Sequence, residues 1–223
     1  MQGLAGKPTA RRGFRGPGYT RCSPRPEVWP GPNGRSPSAQ GDSVGTGEWI
    51  STSIPYLTPR AKGQTDAWAA ETAAQGRRGS QRILHAGEAP APQEVSERLG
   101  IGENDMIIIR RRLMLLDGRP CELTDTYYPA DIARDTRLAE TAKIPGGAVT
   151  YLAGLGYIAA RAREDISARM PHHHERESLC ASDDEPVLQV VRTTLDRDNK
   201  PIQVDIMIMP ANRRRLQYDI RIG

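Results

Sequence analysis

The chain contains one phenylalanine in 223 residues, four histidines and three cysteines. Those scarcities set its first limits. Cys22, Cys121 and Cys180 are widely separated and form no Cys-x-x-Cys pair. They therefore build no zinc ribbon and read as cysteines of a reducing, cytoplasmic setting. No apolar run approaches the roughly 18 residues a membrane span requires, and the first residues lack the apolar core of a signal peptide, so no membrane partner is expected. A P-loop, a G-x-G-x-x-G turn and a nucleophile elbow set between a strand and a helix are also missing. Nothing poises Ser, Cys or His together for attack, so the chain is expected to be no enzyme, with no catalytic residue and no cofactor. His172-His173-His174-Glu175 invites a metal reading. Consecutive residues converge on one ion only if the backbone is contorted, and no metal site is expected.

Charge, glycine and proline are unevenly spread. Residues 1–46 hold nine Gly, seven Pro and seven Lys/Arg against Glu27 and Asp42. Such a segment cannot bury enough apolar surface to offset chain entropy, which predicts a disordered basic tail. The whole chain is +4, so the body is close to neutral and shows no cationic footprint for nucleic acid. Residues 47–80 read as an irregular linker with a short helix. Pro55 and Pro59 break the first half, Thr65 or Asp66 caps an alanine-rich run, and Gly76 ends it. Trp49, Tyr56, Leu57 and Trp68 are expected to staple this linker onto the body.

Residues 81–223 carry an α+β pattern. A first strand covers 80–88, and a short helix pairs Val95 with Leu99 before Gly100. One hairpin turns at Asp117-Gly118 and a second at Asp198-Asn199, dipeptides suited to tight turns. Short helices are expected within 130–140, 146–155 and 172–181, a long strand over 157–170 and a terminal strand over 216–222. Two hairpins around a single strand predict a mostly antiparallel sheet with flanking short helices, placed on one side of it.

The strands carry more charge than packing needs. In 158–170 the even positions are apolar except Glu164, so the even face should turn inward and take one carboxylate with it. Arg110 and Arg112 share the other apolar-flanked face of 106–116, and Arg192 sits between Val190 and Thr194. Inward arginines either close internal ion pairs or line an anion pocket, and the pattern leaves both open. Arg112, Thr124, Thr126, Tyr128, Glu164 and Arg192 together suit a small polar ligand.

Arg112, Asp117-Gly118, Pro120 and Tyr127-Tyr128-Pro129 then form an ordered signature with "TYLAGLGY", "REDISAR", "PVLQVVRTTLDRDNKPIQV" and "QYDI". The region resembles the UTRA effector domain of GntR-type transcription regulators of the HutC subfamily. That resemblance implies a chorismate-lyase-like fold, a small-molecule effector and a dimer whose DNA affinity the effector resets. It also implies that Arg112 meets the anionic part of the ligand, helped by Thr150, Tyr151 and Tyr218. Met114 and Thr124 replace a family arginine and a family acid, which points to a less charged or more apolar effector. No winged helix-turn-helix is legible before Ser80. The expectation is an effector domain that reaches DNA only indirectly, as a homodimer or with a full-length regulator. The alternative is a chorismate-lyase-like enzyme on the same fold.

Overall fold

A computed structural model of the chain describes residues 49–51 (backbone only), 53–61 and 63–218. The expected tail 1–46, the side chain of Trp49 and the end of the terminal strand, 219–223, lie outside them. Eight strands are present among the described residues: β1 (Trp49–Ser51), β2 (Gly79–Pro90), β3 (Met106–Leu116), β4 (Arg119–Pro129), β5 (Arg161–Arg169), β6 (Val187–Leu195), β7 (Pro201–Pro210) and β8 (Arg214–Leu216). The helices are α1 (Ala67–Ala74), α2 (Gln93–Leu99), α3 (Ala130–Ala133), α4 (Ala148–Gly154) and α5 (His173–Leu179). Six strands form one antiparallel sheet in the order β2-β3-β4-β7-β6-β5, while β1 and β8 pair in parallel.

Local chemistry explains the hairpins. Asp117 and Gly118 both take positive φ, 51° and 79°, as a two-residue hairpin turn demands. Asp117 also accepts from Arg78 N and Arg77 Nε at 2.8 Å, tying the turn to the entry of β2. In the second hairpin, Asp196 Oδ1 accepts from Asp198 N and Lys200 N, and Asn199 takes φ 60°. Helix α2 ends at Gly100 in the left-handed region, as its sequence suggested.

Helices cover both faces of the sheet, not one. Val95 and Leu99 of α2 pack on Ile107, Ile109, Tyr127, Val191 and Val204, and Leu179 of α5 on Leu113, Leu123 and Ile208. The opposite face buries Ile108, Tyr128 and Ile202 under α3 and α4 at one end, and Met114 and Leu116 under Trp68 of α1 at the other. The reason lies in β3, whose apolar residues occupy odd and even positions alike, so neither face tolerates water.

Strand β5 departs from expectation. It is the sheet edge, and its even face stays largely open: Ile166 is 45% and neighbouring Met170 54% exposed. Alternation predicts which residues share a face, but only a covering element makes that face a core: Glu164, met by Arg192 and Tyr218, is 10% exposed, while Ile166 and Met170 stay open.

Helix α1 seats tightly on β2. Asp66 caps it through Ala69 N at 2.9 Å, and Trp68 Nε1 donates to the carbonyls of Ser80 and Leu115. Gly79 makes this approach possible: a Cβ there would stand 2.5 Å from Thr72 Oγ1 and 2.7 Å from Trp68 Nε1. Gly79→Ala is expected to cost about 1–3 kcal/mol by overpacking, read as a lower denaturation midpoint with an unchanged slope.

Candidate functional site

Register builds the site. Arg110, Thr126, Asp205, Arg192 and Glu164 are successive cross-strand partners on β3, β4, β7, β6 and β5, forming one polar row across the helix-poor centre of the sheet. Thr126, Asp205 and Arg192 are at least 93% buried, so each must be satisfied internally. Thr126 Oγ1 donates to Asp205 Oδ1 at 2.7 Å, and Gln203 Nε2 donates to Oδ2 at 2.7 Å. Arg192 Nε donates to Glu164 Oε1 at 2.5 Å and its Nη2 to Ser53 Oγ at 3.0 Å.

Above this row lies a cavity of about 120 Å³. Of the residues singled out from sequence, Arg112, Thr124, Tyr128, Thr150 and Arg192 line it. Thr126 stands just behind, accepting from Arg112 Nη2 at 2.8 Å. Burial drives the Tyr128 hydroxyl well above the usual phenol range, so it stays protonated and neutral. Thr150 accepts from Arg60 N at 3.0 Å. Tyr151 is held elsewhere: its ring packs beside the cluster of Ile108, Ile132 and Leu152, and its hydroxyl accepts from Arg137 N at 3.4 Å. Glu164 and Tyr218 sit beyond Arg192, where the Tyr218 hydroxyl donates to Glu164 Oε2 at 2.6 Å.

The three inward arginines resolve differently. Arg192 closes an internal ion pair. Arg110 donates to the main-chain carbonyls of Arg137, Leu138, Glu140 and Ala142, and so holds the loop before α4. Arg112 makes one hydrogen bond among the described residues, and its Nε is buried with no partner. Arg111, on the other face, pairs with Asp125 through Nε and Nη2.

Sequence reading missed several wall residues. Asp205 carries the signal that singled out Glu164, a lone carboxylate within an apolar strand. Glu122 shares a strand face with Thr124, from whose hydroxyl it accepts at 2.6 Å, and accepts from Arg214 Nη2 at 2.9 Å. Tyr56, expected from sequence only as a staple of the linker, and Arg60 come from the linker, and nothing local marks Arg60. The linker closes the cavity through Ser53 on Arg192, the Tyr56 hydroxyl on Glu71 and Arg60 N on Thr150.

Glu164 makes the domain sensitive to acid. Burial raises its pKa, but Arg192 and the Tyr218 hydroxyl outweigh burial and hold the carboxyl below the ordinary range. A folded pKa below the unfolded one contributes stability above the unfolded value and loses it as pH falls through the folded one. Stability should therefore drop below about pH 4.3, an ordinary Glu value, and Glu164→Gln should flatten that limb of a Tm-versus-pH profile.

The UTRA domain family model matches residues 74–215. An HTH-type transcriptional regulator of Mycobacterium tuberculosis is 29% identical over 142 residues, 63% of this chain and 51% of the relative. An uncharacterized HTH-type regulator of Streptomyces coelicolor is 26% identical over 165 residues, 72% of this chain and 61% of its own length. The chain thus spans about half to three-fifths of these curated relatives. Among solved structures, PhnF from Mycobacterium smegmatis superposes with a TM-score of 0.65 at 17% identity, covering 79% of this chain and 73% of that one. The C-terminal domain of the histidine utilization repressor from Pseudomonas syringae gives 0.56 at 20% identity, covering 65% and 100%.

Proposed function

The chain belongs to the UTRA domain family, and from that premise we propose that it is the sensing part of a GntR-type transcription regulator and takes up a small anionic metabolite in the cavity beneath α1 and α4. One observation carries the reading: Arg112, at the cavity wall, keeps a buried Nε without a partner. A buried charged donor left unpaired is costly, and a carboxylate or phosphate on the guanidinium fork removes that cost. Thr124, Tyr128 and Thr150 supply neutral donors and acceptors around it, while Arg192 ties the cavity to the linker through Ser53. Catalysis on the same fold would need a free acid or base. Asp205, Glu122 and Asp66 are each engaged in hydrogen bonds or ion pairs.

Sensing becomes regulation if the bound and empty cavities differ in how they hold residues 53–60, the linker stretch that closes the cavity. The proposed assembly is a dimer of this chain or of this chain with a full-length regulator, DNA being contacted only through the HTH-bearing part.

A thermal-shift screen of carboxylates, inorganic phosphate and phosphate esters tests the reading. A ligand at about 100 times its Kd adds about 2.7 kcal/mol, a rise of several degrees in Tm. If no anion stabilises the chain in a saturable way, the cavity is not a sensor.

A further inference from the structure

A second chamber of about 50 Å³ opens beside the first. The two share the walls Tyr56, Trp68, Met114, Glu122, Arg192 and Met207. Beyond that boundary the lining adds three apolar residues, Val190, Met209 and Leu216, together with Ser53 and Tyr218, whose hydroxyls are taken up by Arg192 and Glu164. We propose that the effector is an amphiphilic anion, its head on Arg112 and an unbranched apolar tail of about eight to eleven carbons lying across the sheet into this methionine-walled chamber. The inference rests on the sensing function proposed above and adds the chemical class of the ligand.

Register gives the direction and length. Arg112, Thr124, Met207 and Val190 are successive cross-strand partners on β3, β4, β7 and β6. Met207 and Val190 are thus two and three strands from Arg112, about 10 and 14 Å at the usual spacing. An extended chain advances about 1.3 Å per carbon, so about eight to eleven carbons cross that interval. The row begins with a cation, passes one hydroxyl and ends in apolar side chains, the polarity sequence of such a ligand. Met114, two residues along β3 from Arg112 on the same face, adds to the apolar wall. Methionine is flexible and polarizable, and moulds to a tail whose shape it does not dictate. The free volume is also adequate: about 10–15 Å³ accommodates one water-sized group, so the second chamber admits a few terminal methylenes.

Titration calorimetry with acetate, butanoate, hexanoate, octanoate, decanoate and dodecanoate, alongside inorganic phosphate, tests the class. Each methylene that enters the chamber should tighten binding about three- to fourfold, until the chamber is full. Met209→Phe, which fills the chamber from its far wall, should abolish the gain from octanoate to dodecanoate while leaving the short acids unchanged. Val190→Ile, a milder filling that keeps the strand's packing, should shorten the optimal chain by about one carbon. Arg112→Ala should weaken every member by a similar factor. Affinity independent of chain length overturns the proposal, and so does a dependence that persists in both filled variants, since the tail then lies on the open face of β5. If phosphate or acetate binds through Arg112 without any preference for a tail, the sensing function stands and this ligand class falls. If Arg112→Ala changes no affinity at all, both fall.

Discussion

Arg112→Ala is expected to weaken effector binding by about 30-fold to several thousandfold while leaving the melting temperature of the empty domain almost unchanged. The first half follows from removing one partner of a desolvated charge pair, which costs about 2–5 kcal/mol. The second half follows from what the guanidinium does in the empty cavity. It makes a single hydrogen bond, to Thr126, and its Nε is buried without a partner. Deleting it removes that unsatisfied donor together with the one bond, and the two effects largely cancel. Thr126 keeps its bond to Asp205. Arg112→Lys should restore charge but not the fork, recovering part of the affinity for a carboxylate. Calorimetry and thermal melts on the same samples check both halves. A variant that binds as tightly as wild type moves the anion site away from Arg112, and one that melts far lower makes Arg112 a structural residue.

The separation of Arg112 from its neighbours marks where sequence stops informing. Alternation placed Arg110, Arg112 and Met114 on one face of β3, and the register bears this out. What alternation cannot contain is the identity of each partner. Arg110 finds carbonyls 27 to 32 residues downstream, and Arg192 finds a hydroxyl from residue 53. Those contacts depend on loops and on the linker, which have no period to read. Hairpin turns were legible because Asp-Gly and Asp-Asn-Lys encode their backbone angles locally. The open face of β5 was not, because burial depends on what lies over a strand, which its own residues do not specify. Asp205 could have been found by the reasoning that found Glu164, whereas Arg60, and the cavity that Tyr56 walls, needed the fold.

Arg110→Ala should behave in the opposite manner to Arg112→Ala, lowering stability by about 3–5 kcal/mol and affinity along with it. Arg110 is 3% exposed and donates from Nη1 to the carbonyls of Arg137, Leu138 and Glu140, and from Nη2 to that of Ala142. Truncation leaves several of these acceptors without a donor, and each buried unmet acceptor costs about 1–3 kcal/mol before water or loop movement relieves it. Relief is available only if 137–142 unfolds from the sheet, exposing Leu138, which is fully buried. Either route is unfavourable, hence a total near the buried-charge range. For a domain of this size each kcal/mol shifts Tm by about 2–4 °C, so a drop of roughly 6–20 °C is expected. Binding suffers indirectly, because Ile144, Gly146 and Thr150, which line the cavity, follow directly on the loop that Arg110 holds. Arg110→Lys should recover less than half of the loss, since one ammonium cannot span four carbonyls that a planar fork reaches at once. Two arginines two residues apart on one strand face would thus separate cleanly, one carrying affinity and the other the loop that shapes the site. Equal Tm values for the two alanine variants would refute that division of labour.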